Sequence, residues 1–445
     1  MYFLYSFLFA IGFILMLPVF LLKREKYAAG FWQRLGFLPD FEKDARRVVW
    51  LHCVSVGETN AARPLVEEIA RKFPAHRLIV STTTKTGQNH ARNIFKDKAE
   101  EIFYFPFDFR FSVRRALRHF APHAVLLVET ELWFNFLREA GKNGARVAVV
   151  NGRLSEKSFR NYSYIKKFIR RVLSYLDLAL MQSNRDAKRL MALGAHPGKV
   201  KVTGNIKFDQ SFEPSELTAD LRERFAISKD APLIIAASTH APEERWILEA
   251  FKKVWKDSAG NLPRLLIAPR HPERFAEVAQ LIAETGFEWV RRSEKPSEKD
   301  KSAEVILLDS IGELRAVYPL AEIVFVGGSL IPHGGQSILE PAVAARAIVT
   351  GFYTMNFTPA VKEFTAKDAL VQLPATDENT IVDDLAQALT ELLTSDEKRA
   401  RLAENALEVM EKNRGATAKT IENLKPFFLS PKPQVPSPKS KEQVL

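Results

Sequence analysis

The chain has 445 residues, of which 46% are hydrophobic, so it is long and apolar enough to form two cores. Its 64 basic and 53 acidic residues give a net charge of +11, which narrows the expected partners to nucleic acid, an anionic membrane surface or a phosphorylated substrate. The single cysteine, Cys53, excludes an internal disulfide and agrees with a reducing compartment.

An uncharged segment opens the chain. Residues 1 to 22 contain no charged side chain, and as a helix they would be about 33 Å long, which is enough to cross a bilayer. A cleavable signal peptide is the alternative, but no basic residue precedes the apolar run, and Lys23, Arg24 and Lys26 follow it instead. We therefore expect an uncleaved membrane anchor, with the rest of the chain held in the cytoplasm by these charges.

Apolar runs alternate with amphipathic segments from residue 47 to about 205. The runs RVVWLHCV, RLIVST, EIFYF, AVLLVE, ARVAVV and DLALMQ are predicted strands, and apolar spacings of three and four between them predict helices. This alternation is typical of a parallel sheet covered by helices. It predicts a Rossmann-like α/β domain over residues 23–212.

The alternation stops in a polar stretch, residues 208–231, and then resumes. The predicted strands of the second series are PLIIAAS, PRLLIAP, FEWVRR, EVILLD, EIVFVGG and AIVTG, with helices near 243–256, 273–285, 312–320, 337–345 and 397–427. A second Rossmann-like domain is therefore expected over 213–427, with a cleft between the two domains. The tail, 428–445, is rich in proline and lysine and should be disordered.

Three acidic residues follow predicted strands of the first domain. Glu58 comes after WLHCVSVG, and Glu129 and Glu131 come at the end of AVLLV. An unpaired carboxylate is costly to bury, and ligands bind beyond the carboxyl ends of parallel strands, so one or more should face the cleft as a working acid or base. The alternative for each residue is capping of the helix that follows.

Basic residues and histidines lie at comparable positions. Lys207, in TGNIKFD beside the domain boundary, could stabilise a leaving phosphate, although a solvated surface lysine is the alternative. Arg270 suits bidentate contact with a phosphate. His240 and His271 raise a metal hypothesis, which we reject because no third ligand lies at a recognisable spacing and hydrogen bonding to substrate explains both.

The strongest signal for phosphate binding is the segment FVGGSLIPHGGQSILE, residues 325–340. Glycines let the backbone approach a ligand closely, and the start of the following helix favours a phosphate, although such turns are often only tight connections. Glu340 could accept hydrogen bonds from both hydroxyls of a ribose. A second turn, around Gly312, also fits a nucleotide. Neither turn is a Walker motif, so ATP hydrolysis has little support.

A series of motifs occurs in order behind the apolar N-terminus: SVGE, VETELW, GNIKFD, STH, PRHPERF, GEL and VFVGGSL…GG…LE. Together they closely resemble the Kdo (3-deoxy-D-manno-octulosonic acid) transferases of Gram-negative bacteria, over roughly residues 1–427. The resemblance implies the α/β GT-B fold, in which two Rossmann-like domains face each other across a cleft behind an N-terminal membrane-anchor helix. It implies a transfer of Kdo from CMP-Kdo to lipid IVA, the lipid A precursor of lipopolysaccharide. We expect this transfer to invert the anomeric carbon and to need no metal, because Lys207, Arg270 and the helix N-termini supply positive charge.

The resemblance also implies roles for residues of this chain. Glu58 would be the general base that takes the proton from the acceptor hydroxyl, and Glu129 and Lys207 would stabilise the transition state. The residues implied in CMP binding are Pro269, Arg270, Ile311, Gly312, Glu313, Ser337, Ile338, Leu339 and Glu340.

The chain departs from the family pattern in two places. Gln336, Ser337 and Ile338 stand where the family usually has His-Asn-Pro, and Ala241-Pro242 stands where it usually has Glu-Gly. We expect nucleotide binding to survive, because Ser337 can still cap a helix and contact a phosphate.

The expected partners are CMP-Kdo, lipid IVA and the bacterial inner membrane, with the catalytic domains facing the cytoplasm. No nucleic acid, metal or other cofactor is expected. One alternative is a GT-B enzyme that uses another nucleotide sugar on a lipid acceptor. Another is a membrane-tethered protein that only binds anionic ligands, but it leaves the strand-end carboxylates unexplained.

Overall fold

Residues 2–22, 29–211, 215–228, 231–257, 262–375, 377–378 and 380–429 are described by the computed structural model. The chain divides into two compact units: unit 1 comprises Met1–Asp209 and Asn413–Leu445, and unit 2 comprises Gln210–Lys412. The basic residues predicted to follow the anchor, and all but the first two residues of the predicted tail, lie outside the described residues.

Helices and strands alternate along both units. Unit 1 begins with α1 (Tyr2–Leu22), α2 (Phe31–Arg34), β1 (Arg47–Cys53), α3 (Val56–Lys72), β2 (His76–Thr82), α4 (Lys85–Phe95), β3 (Glu101–Tyr104), α5 (Arg110–Phe120), β4 (Ala124–Val128), α6 (Phe134–Lys142), β5 (Arg146–Gly152), α7 (Glu156–Tyr164), α8 (Lys166–Leu173), β6 (Leu178–Met181), α9 (Asn184–Ala192) and β7 (Val200–Val202). Unit 2 contains α10 (Glu216–Arg224), β8 (Leu233–Thr239), α11 (Glu243–Asp257), β9 (Arg264–Pro269), α12 (Phe275–Ala283), β10 (Trp289–Arg291), α13 (Lys299–Ser302), β11 (Val305–Leu307), α14 (Leu314–Val317), β12 (Ile323–Val326), α15 (Leu339–Val343), β13 (Ala347–Thr350), α16 (Thr358–Ala366), β14 (Val371–Gln372), α17 (Ile381–Thr394) and α18 (Asp396–Asn413). The last described helix, α19 (Ala416–Leu429), belongs to unit 1.

Each unit is built on one seven-stranded parallel sheet, with the orders β3-β2-β1-β4-β5-β6-β7 and β10-β11-β9-β8-β12-β13-β14. In the first sheet, Trp50 pairs with Ile79 on one side and with Val125 on the other. A parallel sheet covered on both faces needs apolar side chains on both faces, which explains the nearly continuous apolar runs of β1 and β4. The predicted α/β class with two Rossmann-like domains is confirmed.

Both sheets contain a point where the connections change direction. In unit 1, β1 leads to β2 and β3 on one side, whereas its neighbour β4 leads to β5, β6 and β7 on the other. In unit 2, β8 and β12 are neighbours of the same kind. Such points leave a crevice beyond the carboxyl ends of the strands, and ligands of open α/β sheets bind there.

The C-terminal helix α19 packs on unit 1, which differs from the predicted second domain over 213–427. Its Leu424 and Phe428 are buried in the core of unit 1, in one cluster with Leu65 of α3. The single helix predicted over 397–427 is divided into two, because Gly415 has a φ of +95°, a conformation that ends a helix and that glycine adopts without strain.

The first helix packs against the rest of unit 1 through residues near its N-terminus. The ring of Tyr2 stacks on Phe134 with centroids 4.8 Å apart. The hydroxyl of Tyr5 donates to the buried carboxylate of Asp108 at 2.7 Å, and the ring of Phe9 packs edge-on against Phe109. Among the residues that the structure describes, no helix combines the length and the apolarity needed to cross a bilayer. The membrane anchor therefore stays a prediction.

Candidate active site

The carboxyl group of Glu58 lies in the first turn of α3, directly after β1. Ser55 caps this helix, because its Oγ accepts the backbone N–H of Glu58 at 3.4 Å. In return, Glu58 Oε2 accepts the N–H of Val54 at 2.7 Å, and Oε1 accepts the Ser55 hydroxyl at 3.2 Å. The capping alternative is thus observed, and the same contacts fix the direction of the carboxyl group.

The pKa of Glu58 is raised to about 8, chiefly by burial and also by the neighbouring charges of Glu129 and Glu131. The hydrogen bonds from Val54 and Ser55 act in the opposite direction and only partly offset the burial. A carboxyl group with a pKa near the working pH is a more effective proton acceptor than an ordinary glutamate. The environment of Glu58 therefore suits a general base.

Glu129 directly follows β4, on the other side of the switch point from Glu58. Its φ of +59° lies in the left-handed region, a conformation that costs a non-glycine residue about 1–3 kcal/mol and is concentrated at functional sites. The Nζ of Lys207 lies 3.0 Å from Glu129 Oε1, and neither side chain is more than a quarter exposed. A pair shielded in this way is screened less by salt than a surface pair.

The segment that carries Lys207 is tied to the sheet and to α19. Lys207 donates its backbone N–H to Asn205 Oδ1 at 3.1 Å, and Ile206 donates its own to Asn151 Oδ1 at 3.0 Å. The carboxylate of Asp209 accepts the N–H of Gly415 at 2.6 Å, just before α19. Asn151, fully buried with a φ of +54°, was not among the predicted residues, although the Asn-Gly pair at the end of ARVAVVNG signals an unusual turn.

Glu131, the remaining strand-end acid of the first domain, has a different environment. Its Oε2 accepts the indole N–H of Trp133 at 3.1 Å. Burial raises the pKa of this carboxyl group, and the charge of Glu129 adds to the effect. The structure therefore brings Glu129 and Lys207 into an ion pair and leaves Glu131 hydrogen-bonded to Trp133, two residues along the chain.

In unit 2, a buried carboxylate holds the glycine-rich loop after β12. Glu243, the fully buried first residue of α11, accepts the backbone N–H groups of Gly328 at 2.6 Å, Ser329 at 2.9 Å and Leu330 at 2.9 Å, and also that of His240 at 2.9 Å. The loops after β8 and β12, on either side of the switch point, are thereby joined through one side chain. No role could be predicted for Glu243, because Gly328, Ser329 and Leu330 are distant from it along the chain.

Glu243→Ala should destabilise unit 2 by at least about 3 kcal/mol, because it leaves four buried N–H groups without an acceptor. Equilibrium urea denaturation of the full chain measures this, and the affinity for CMP should fall with it. Glu249→Ala, on an exposed position of the same helix, is the matched control and should change neither quantity. Equal stability of the two variants would contradict the proposed support of the loop.

The other residues expected to bind CMP occupy three loops of unit 2. Arg270 follows Pro269 at the end of β9 and donates its backbone N–H to Thr239 O at 3.0 Å. Burial raises the pKa of the Glu340 carboxyl group, whereas the positive charges of Arg315 and Arg270 lower it. Arg270 and Glu340 are thus close enough to interact, although Arg270 follows β9 and Glu340 lies in α15.

The turn and helix start predicted to hold CMP offer mainly backbone groups. Gly312 has a φ of +91°, and the side chain of Glu313 pairs with Arg292 at 2.9 Å. The Oγ of Ser337 lies 3.4 Å from the N–H of Leu339, a weak form of the expected cap. The remaining predicted residues differ in exposure. The side chain of Ile311 is exposed, whereas those of Ile338 and Leu339 are buried. Within the described residues, no group of metal-ligating side chains is arranged to hold a metal ion.

Comparison with known proteins gives consistent matches. A family model described as 3-deoxy-D-manno-octulosonic-acid transferase matches residues 29–210. The 3-deoxy-D-manno-octulosonic acid transferase of Haemophilus influenzae is 34% identical over 408 residues, covering 91% of this chain and 93% of the relative. That of Bordetella pertussis is 32% identical, covering 85% and 87%. The chain belongs to the Kdo transferase family. The resemblance seen in its motifs is confirmed.

Solved structures agree with the fold of this Kdo transferase family member. A glycosyltransferase from Rickettsia africae superimposes with a TM-score of 0.58 at 14% identity, covering 87% of this chain and all of the other. At that identity the match bears on the fold alone. Glu58, Glu129 and Lys207 all lie within the residues matched by the family model, 29–210.

Proposed function

We propose that this member of the Kdo transferase family moves Kdo from CMP-Kdo to lipid IVA, with inversion at the anomeric carbon. The observation that carries the proposal is the group in unit 1: a carboxyl group with a pKa of about 8, beside a shielded Lys207–Glu129 pair. A base and a fixed cation next to each other are what a hydroxyl needs to attack while a phosphate leaves.

The proposed mechanism assigns one step to each group. Glu58 takes the proton from the acceptor hydroxyl, whose oxygen then bonds to the anomeric carbon as the bond to the phosphate oxygen of CMP breaks. Lys207 stabilises the developing negative charge, and Glu129 holds the ammonium group in position. We assign CMP to unit 2, where Arg270 and the loop held by Glu243 supply a guanidinium and backbone N–H groups. We expect transfer to persist in EDTA, because these cations supply the positive charge.

Mass spectrometry of the lipid product tests the function. Incubation with CMP-Kdo and lipid IVA should add the mass of Kdo to the lipid, whereas UDP-sugars should add nothing. Transfer from a UDP-sugar would favour the alternative of a GT-B enzyme with another donor. If no sugar is transferred while anionic lipids still bind, the protein is a tethered binding protein.

The rate should depend on pH through the proposed base. Because only the deprotonated carboxylate of Glu58 can accept a proton, kcat/KM for the acceptor should rise with pH and level off above an apparent pKa of about 8. An ordinary glutamate would give a rate independent of pH across this range. Initial rates from pH 6 to pH 9, measured on wild-type protein with saturating CMP-Kdo, distinguish the two. A flat profile would contradict the assignment.

We also propose that unit 1 binds the bacterial inner membrane from the cytoplasmic side. Large apolar side chains are exposed together on α1 and on the neighbouring part of unit 1, a set defined here as the α1 surface: Phe3, Leu4, Phe7, Leu8, Ile11, Ile14, Leu15, Met16, Leu17, Trp32, Phe37 and Phe111. Exposed apolar patches of this extent mark sites of interaction with a membrane or a protein. Because the proposed acceptor is a lipid, we favour a membrane over a protein as the partner of the α1 surface.

Phe7→Ser combined with Leu15→Ser should weaken membrane binding. Burial of each such side chain contributes about 1.5–3 kcal/mol, so the loss should exceed about tenfold in partition coefficient. Flotation with vesicles of phosphatidylethanolamine and phosphatidylglycerol measures it. Leu262→Ser, an exposed apolar position of unit 2, is the control and should float like wild type. Equal flotation of all three proteins would refute the role of the α1 surface.

A further inference from the structure

Three histidines of unit 2 lie together at the carboxyl ends of its strands. His240 follows β8, His271 follows β9, and His333 lies in the loop after β12. The ring centroids of His240 and His333 are 4.1 Å apart, and those of His240 and His271 are 5.3 Å apart. Because β8 and β12 flank the switch point of this sheet, the rings lie where a parallel sheet accommodates a ligand.

The hydrogen bonding of His240 fixes its tautomer. Its Nδ1 lies 3.1 Å from the carbonyl oxygen of Ser238. A carbonyl oxygen can only accept, so Nδ1 carries the hydrogen. The pKa of His240 is lowered to about 4, chiefly by burial and also by the charges of His333, His271 and Arg270, so the ring is neutral near pH 7. Nε2 is therefore an acceptor with a free lone pair.

This acceptor is buried and unsatisfied. His240 is 7% exposed, and within the described part of the chain its Nε2 has no hydrogen-bond partner. Leaving a buried polar atom without a partner costs about 1–3 kcal/mol, which a ligand can recover. Gly328, with a φ of +66°, lies against the Nδ1 side of the ring, where a Cβ would be 3.4 Å from His240 Nδ1 and 3.4 Å from His333 Cδ2.

We propose that Nε2 of His240 accepts a hydrogen bond from a hydroxyl group of the nucleotide sugar. The identity of that ligand rests on the proposed function. A bare lone pair repels the oxygens of a phosphate or carboxylate, so the anionic groups of the donor are left to Arg270 and the backbone N–H groups. A hydroxyl of the ribose and a hydroxyl of the transferred sugar have the same chemistry at this atom.

Two substitutions at position 240 test this role. His240→Asn places an amide near the position of Nδ1, so it can still donate to Ser238, but it has no atom at the position of Nε2. His240→Gln reaches the position of Nε2 with an oxygen that accepts. We expect His240→Asn to weaken binding about tenfold with little change in kcat, and His240→Gln to recover most of the loss. Thermal melting should show both variants folded.

Three ligands, CMP, dCMP and CMP-Kdo, show which hydroxyl contacts His240. If it belongs to the ribose, His240→Asn raises the Kd of CMP, measured by calorimetry. The 2′-hydroxyl is identified if the substitution has no further effect on dCMP, which lacks this group, and the 3′-hydroxyl if the Kd of dCMP rises as well. If it belongs to the sugar, the Kd of CMP is unchanged and the KM for CMP-Kdo rises. Wild-type affinity of His240→Asn for CMP and for CMP-Kdo overturns the inference, as does equal impairment of the Asn and Gln variants. If wild-type protein neither binds CMP nor uses CMP-Kdo, the proposed function itself fails.

Discussion

Glu58→Gln should abolish nearly all Kdo transfer while leaving unit 1 folded. The amide cannot accept the proton of the acceptor hydroxyl, and loss of a general base typically lowers a rate by about 10²- to 10⁴-fold. Its oxygen can still accept the N–H of Val54, which the carboxylate contacts at 2.7 Å, so the start of α3 should persist. Values of kcat/KM with lipid IVA and CMP-Kdo measure the loss, and circular dichroism verifies the fold.

The stability of this variant supplies an independent check. The pKa of Glu58 is raised from 4.5 to about 8 in the folded chain, so the folded state favours the protonated form. Proton binding by Glu58 therefore contributes to the free energy of unfolding. This contribution is fully present below about pH 4.5 and is lost as the pH rises towards 8. The neutral glutamine loses nothing over this range. The variant should therefore gain about 1–2 kcal/mol of unfolding free energy relative to wild type at pH 8.5, after allowance for partial exposure.

A matched substitution separates catalysis from capping. Glu67→Gln changes an exposed glutamate of the same helix, paired with Arg63 at 2.9 Å, and should leave transfer unchanged. If Glu58 only capped α3, its glutamine variant would transfer Kdo at the wild-type rate and lose about 0.5–1 kcal/mol of stability at every pH. That result would remove the proposed base.

The strands could be predicted because burial on both faces of a parallel sheet requires a continuous run of apolar residues, which is visible in the sequence. Every residue of β4 is buried, and the run AVLLV shows it directly. Helices that owe their place to capping and distant packing were harder to predict. Helix α10 lies in the polar stretch for which no element was predicted, yet Ser215 caps it and Leu221 is buried. The last helix, α19, lies in unit 1 because Asp209, far along the chain, accepts N–H groups at its start.

The residues of the candidate site also fall into a group that could be predicted from the sequence and a group that could not. Glu58, Glu129 and Arg270 could be predicted because each directly follows an apolar run that ends at the ligand edge of a sheet. Asn151 and Glu243 could not be assigned roles, because their hydrogen bonds reach residues 55 and 85 or more positions away. Residues whose role is to hold a distant loop in position can be identified only from the folded structure.

Lys207→Met should lower kcat by about 10²- to 10³-fold, the usual cost of losing one fixed group that stabilises charge in the transition state. Methionine keeps the length of the side chain and removes the charge. Affinity for CMP, which we assign to unit 2, should change little, so the loss should appear in kcat and not in the Kd of CMP. Lys96→Met, an exposed lysine of unit 1, is the control and should transfer normally.

Glu129, the ion-pair partner of Lys207, allows a second test of this role. Because Glu129 Oε1 and Lys207 Nζ are 3.0 Å apart, Glu129→Gln should act by releasing the ammonium group. The double variant should then be scarcely slower than Lys207→Met alone, since a carboxylate that positions a lysine has no role once the lysine is absent. If the fold losses in rate of the two single variants instead multiply in the double variant, Glu129 contacts the reacting groups itself. Melting curves of all three variants exclude unfolding as the cause, because the pair is only partly buried.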